Sequence, residues 1–247
     1  MFTTEDRRNA HERVLALAKS DPRVVAGAVV GSLALADGDP WSDLDLTFAV
    51  ADGVAVGEVL EDWTRTVEAE LGGVRLFDLP SGPSIYRVFL LPGCLQFDLS
   101  LTPAAEFGAT SPRFRLLFGS AVERQDLPEP DGDEVFGYAV HHALRARFSI
   151  ERRRLWLAEY WTTSVRTYAL SLACIDHGLP AQYGRGFDEL PADVLALFDG
   201  AFVRSLDRDE LFRALRVAID GLLHVAGGRG EVIAPQLRHL VQDDTLS

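Results

Sequence analysis

Residues 24–50 constrain this chain more than any other stretch: an apolar run, Val-Val-Ala-Gly-Ala-Val-Val, a Gly31-Ser32 turn, a short polar loop, and then Asp-Leu-Asp-Leu-Thr-Phe-Ala-Val. The first run has the continuous apolar character of a strand covered on both faces. In the second, side chains alternate between faces, so Asp43, Asp45 and Thr47 share one side while Leu44, Leu46, Phe48 and Val50 share the other. A sheet can therefore bury the apolar set and hold two carboxylates side by side on an open face. Two such acids repel unless they are protonated or bridged by a cation, and hard oxygen donors on a strand suit Mg2+ or Mn2+.

A third acid follows the same logic. In residues 94–101, Leu95, Phe97, Leu99 and Leu101 fall on one side and Gln96, Asp98 and Ser100 on the other. Aspartate is depleted in mid-strand, so Asp98 at such a position points to use. Residues 84–91 and 94–101 read as a hairpin turning at Pro92-Gly93, which delivers Asp98 to the sheet. Arg87 alternates with apolar neighbours and reads as an exposed strand arginine. Residues 32–36 read as a short helix whose N-terminus, with the Ser32 hydroxyl, would cradle phosphate.

Ten residues, 33–42, separate Ser32 from Asp43. With Gly31, Ser32, Asp43 and Asp45 so placed, the chain resembles the nucleotidyltransferase superfamily, whose signature is a Gly-Ser pair followed after a short loop by Asp-x-Asp. The resemblance is specific from residue 24 to about 101. It implies that Gly31 and Ser32, with Ser42 beside them, contact the phosphates of a nucleoside triphosphate. It also implies that Asp43, Asp45 and Asp98 are catalytic and hold the metal, Asp98 as ligand or as base. ATP is the expected triphosphate, with Mg2+ or Mn2+ as cofactor, and a small molecule the expected acceptor of the nucleotide. Nucleotidylation of a protein side chain, or nucleotide binding without turnover, are the alternatives within that superfamily.

Composition narrows the substrate. The formal net charge is −13, from 24 basic and 37 acidic residues, which argues against a nucleic-acid partner because phosphate neutralisation needs a basic surface. Lys19 is the one lysine, so arginines must carry any phosphate contacts made by side chains. An acidic cleft favours a cation, and the expected acceptor is an aminoglycoside-like polyamine alcohol. Cys94 and Cys174 lack ligand partners at zinc spacing, no G-x-S-x-G occurs, and His141-His142 is adjacent rather than four apart. The N-terminus lacks a signal-peptide pattern and no apolar run nears about 18 residues, so no membrane partner is expected and a cytoplasmic location is.

The expected fold class is α+β, a mixed-sheet nucleotidyltransferase-like domain followed by an all-helical one. Residues 1–125 form the first, 126–134, rich in Pro, Gly and acids, the linker, and 135–247 the second. In the helical part, Leu157, Trp161, Val165, Tyr168, Leu172 and Ile175 recur at helical intervals, and 191–204 and 207–226 read as two further helices. Glu159 and Arg166, on one helical face, and Tyr183 and Arg185, in a glycine-rich loop, are the candidate acceptor contacts there. Nothing in the sequence fixes the oligomeric state.

Overall fold

The computed structural model describes residues 1–35, 38–123 and 131–242. The chain is α+β and divides into two compact units, Met1–Leu127 and Pro128–Ser247.

The first unit opens on helix α1 (Thr4–Ser20), started by a capping box in which Thr3 and Asp6 satisfy each other's backbone N–H groups. Strand β1 (Val24–Val30) leads into a 3-10 turn, Gly31–Ala34, and then strand β2 (Leu44–Val50). Helix α2 (Val56–Leu71) ends at Gly72 in the left-handed conformation, and strands β3 (Val74–Ser81), β4 (Ser84–Leu91), β5 (Leu95–Pro103) and β6 (Phe114–Phe118) follow. The strand order is β3-β4-β5-β2-β1-β6. Strands β2 and β5 run parallel and every other pair antiparallel, making the sheet mixed.

Alternation decides what each face of the sheet does. Leu44, Leu46 and Phe48 of β2 and Leu95, Phe97, Leu99 and Leu101 of β5 pack against Ala10, Val14 and Ala18 of α1 and Val59, Leu60, Trp63 and Val67 of α2. The Phe48 and Trp63 rings meet edge to face at 5.1 Å. The opposite face is covered only in part: Ala26, Ala28, Ala49 and Phe107 form a small second core over β1 and the far end of β2.

Two details depart from the reading of the sequence. Strand β6 was not foreseen; it is five residues long, shows no clean apolar alternation, and is fixed by pairing with β1. Arg87 is 2 % exposed rather than solvated. It pairs with Leu99, so strand parity sends it to the helix-covered face, where its guanidinium donates to Asp78 (2.7 and 2.8 Å), Glu61 (2.8 Å) and Thr64 (2.6 Å).

The second unit is helical in its regular structure: α3 (Gly132–Glu151), α4 (Leu155–Asp176), α5 (Ala192–Ala196), α6 (Arg208–Ala226) and α7 (Ala234–Leu240). Helix α3 starts at Gly132 with Asp131 as its cap, so the end of the segment read as a linker is helical; its residues 126–130 lie outside the described residues. On α4, Val165 and Leu172 are fully buried, but Leu157 is exposed and the innermost stripe includes Ala158, Thr162, Ala169 and Ala173. Ala139, Ala143 and Ala146 of α3 are equally buried, and two alanine-lined helices can approach more closely than the bulky pattern suggests. The helix expected over 191–204 stops at Ala196, because the chain turns to bury Phe198 against Gly221 of α6. Among the described residues, no helix is long and apolar enough to cross a membrane.

Candidate active site

Strands β2 and β5 lie side by side in parallel register, with Asp45 opposite Asp98 and Thr47 opposite Ser100. Asp43 precedes β2 by one residue and ends on the same side. One carboxylate oxygen from each of Asp43, Asp45 and Asp98 lies within 4.8 Å of the other two, and all three residues are half-buried. The partial covering of this sheet face explains the half-burial: Thr47 and Ser100, one step further along, are already enclosed.

Gly31 completes the group. Its φ of 69° lies in the left-handed region, and a Cβ there would collide with Asp45 Oδ2. Both the conformation and the close passage of the backbone over a carboxylate favour glycine here. Ser32 follows in the turn and faces a pocket of about 450 Å³, lined also by Asp43, Ser42, Trp41, Asp39 and Gln96. The short helix expected over residues 32–36 is a four-residue 3-10 turn, Gly31–Ala34, residue 36 lying outside the described residues, so any phosphate cradle there rests mainly on the turn's own N–H groups and the hydroxyl.

Ser42 shapes the loop that carries Asp43. Its hydroxyl donates to Asp39 Oδ1 (3.1 Å) and accepts from the Asp39 N–H (3.0 Å), while the Trp41 N–H donates to the same carboxylate (2.8 Å). Reading the sequence missed Arg7. This arginine, 8 % exposed, donates to the carbonyls of Asp39 (2.8 Å) and Ser42 (2.6 Å) and pins the loop to α1. The signal was present in its spacing, since Arg7 precedes Ala10 by three and Val14 by seven and so falls on the buried stripe of α1. Trp41 is 70 % exposed at the pocket wall.

Burial raises the Asp98 carboxyl above the usual carboxylate range; the hydrogen bond donated by Gln96 Nε2 (3.0 Å) opposes the shift, and the negative charge of Asp43 adds to it. Carboxylates this close repel one another, and a cation among them would relieve that repulsion. The donors are all carboxylate oxygens, the set that hard divalent ions such as Mg2+ and Mn2+ take.

The remaining candidates belong to the second unit. Glu159 accepts a hydrogen bond from the Thr163 hydroxyl (2.8 Å). Arg166 donates to the Ala201 carbonyl (3.2 Å) and lies over the Phe202 ring at 4.3 Å, a contact that ties α4 to the segment after α5. Tyr183, 90 % exposed with φ of 58°, carries the Arg185 guanidinium over its ring at 5.6 Å.

No protein-family model matches the chain, and no curated protein matches it. Among solved structures it is similar to an aminoglycoside 6-adenyltransferase from Bacillus subtilis, with a TM-score of 0.41 and 13 % identity over 96 % of this chain and 99 % of that one. The carboxylate geometry, rather than that overlap, carries the functional reading.

Proposed function

We propose that the protein is a metal-dependent nucleotidyltransferase that moves AMP from ATP to a hydroxyl group of a small molecule and releases pyrophosphate. The observation that carries this reading is the convergence of Asp43, Asp45 and Asp98 within 4.8 Å, beside a glycine whose backbone passes closely over Asp45. Asp43 and Asp45 would hold Mg2+, with Asp98 as third ligand. When bound, Mg2+ would offset the charge of the triphosphate and polarise its α-phosphorus. Gly31 and Ser32 would take the β- and γ-phosphates through backbone N–H groups and the hydroxyl. The acceptor oxygen would bond to the α-phosphorus as the bond to pyrophosphate breaks, the hydroxyl proton leaving to a carboxylate oxygen of Asp98.

The test is to incubate the full chain with each nucleoside triphosphate, Mg2+ and a panel of hydroxyl acceptors, reading pyrophosphate and product mass. Nucleotidylated acceptor, formed by wild type and absent with Asp45→Asn, is the expected result. Pyrophosphate release by both proteins at equal rates would contradict the proposal.

A further inference from the structure

The open face of the sheet does not end at the acids. Val88 of β4 stands opposite Asp98, and Phe77 of β3 stands opposite Val88, so one row of cross-strand partners runs Asp45, Asp98, Val88, Phe77. The next row runs Thr47, Ser100, Tyr86, Leu79, and on the other side Gln96, Leu90 and Val74 align. The face is thus polar over β2 and β5 and apolar over β4 and β3. Val88 itself is buried, and the part open to solvent is Leu90 on β4, 38 % exposed, with Phe77 (50 %) and Leu79 (54 %) on β3. The covered side of the same strands uses its charges on itself, with Arg75 and Asp78 engaged with each other and with Glu61 and Arg87. An apolar surface continuous with a row of carboxylates is unusual enough to need an occupant.

Direction of attack identifies it. In the strand order, Gly31 and Ser32 follow β1, on one side of the acids, and β4 and β3 lie on the other. Displacement at phosphorus is in line, so the entering oxygen comes from the side opposite the leaving pyrophosphate. With the β- and γ-phosphates at Gly31 and Ser32, the acceptor enters over β5 and its body extends across β4 to β3. Two strand spacings, about 10 Å, separate Asp98 from Phe77, the reach of a small molecule rather than of a polymer. We infer that the acceptor is an alcohol with an apolar body, seated on Leu90, Phe77 and Leu79 with its hydroxyl at Asp98. This departs from an aminoglycoside-like acceptor, whose polar surface would leave these side chains wet. The inference rests on the nucleotidyl-transfer reading.

Straight-chain alcohols from ethanol to hexanol serve as the acceptor probes, with ATP and Mg2+, in wild type, Phe77→Ser and Leu79→Ser. The altered side chains are exposed, so folding should survive, and thermal unfolding checks it. In wild type kcat/KM for nucleotidyl transfer should rise about threefold to fourfold per added methylene, the factor for burying one. The two variants should flatten that rise. A chain-length series that is flat in wild type, or equally steep in the variants, would overturn the inference. So would a variant that weakens Mg-ATP binding instead, which would make the face a base subsite, or one that only turns a dimer into a monomer by sedimentation, which would make it a contact between copies. If wild type transfers nucleotide to no alcohol, the transfer reading itself is in question, and titration of 2-phenylethanol decides the subsite separately. Binding lost in Phe77→Ser would keep the apolar subsite, and binding unchanged or absent would remove it.

Discussion

Arg87 on β4 and Asp98 on β5 are offset by one position in cross-strand register and point to opposite faces of the sheet, where their surroundings shift carboxylates in opposite directions. On the helix-covered face the Arg87 guanidinium, hydrogen-bonded to Asp78 and Glu61, holds both carboxyls below the usual range. On the open face, burial and the charge of Asp43 push Asp98 the other way. A buried charge that serves the fold is neutralised locally, because leaving it unpaired costs several kcal/mol. Three carboxylates set within 4.8 Å of one another instead offer an all-oxygen donor set of the kind a divalent cation takes. The contrast is between an ion-paired network on one face of the sheet and, on the other, the cluster of acids proposed to hold the metal.

The largest effect that would break this contrast is on turnover. Asp45→Asn keeps the shape and removes the charge, so transfer should fall at least about 10³-fold with folding intact, as measured by pyrophosphate release and by thermal unfolding. The second effect is on stability. Arg87→Met strands Asp78 and Glu61, which are partly exposed and can rehydrate, so unfolding in urea should show a loss smaller than about 3–5 kcal/mol, the cost of breaking a fully buried pair. Activity per folded molecule should change little.

A smaller effect concerns acid. Asp21 is held at about 2 by hydrogen bonds from Arg23, despite burial, with Trp63 Nε1 donating as well (2.9 Å). Its folded value is depressed, so its contribution is full above the ordinary carboxylate range and is lost as pH falls from about 4 towards 2. Asp21→Asn should remove that part of the acid limb, about 1 kcal/mol after allowance for solvent. The smallest effect has the opposite sign. Asp98 has a raised folded value, so the native state binds more proton than the unfolded one just above the ordinary carboxylate range, and its charge weakens the fold as pH rises through that window. Asp98→Asn should raise Tm at pH 7 without divalent metal, by about 1–2 °C, while lowering turnover.

Strand parity made much of the sheet and the site legible in advance. Asp45 and Asp98 could be assigned to one face because Leu44, Leu46, Leu95, Phe97 and Leu99 claimed the other, and two-residue periodicity leaves no third choice. The same rule, applied to Arg87 and Leu99, would have buried Arg87; what hid this was the habit of reading a strand arginine as solvated. Strand β6 was illegible because its sequence, Phe-Arg-Leu-Leu-Phe, has no period of its own and is fixed by its partner. In the helical unit the large residues of α4 marked most of the packed face, with Val165 and Leu172 buried and Trp161, Tyr168 and Ile175 against the core; Leu157 is exposed, and the buried alanines were missed because their small size carries little hydrophobic signal. Arg7 was missed because its role is to hold two carbonyls of a loop more than thirty residues away, a contact that no local pattern encodes.

The central claim is that Asp43, Asp45 and Asp98 bind a divalent cation together with a nucleoside triphosphate. Titration of the full chain with Mn2+, followed by the loss of the free-ion paramagnetic resonance signal, in the presence and absence of a non-hydrolysable ATP analogue, tests it most directly. The account predicts saturable binding that tightens with the analogue and disappears in Asp45→Asn, with Arg87→Lys, an alteration on the other face of the sheet, retaining it. Equal Mn2+ binding by wild type and Asp45→Asn, with and without the analogue, would contradict it.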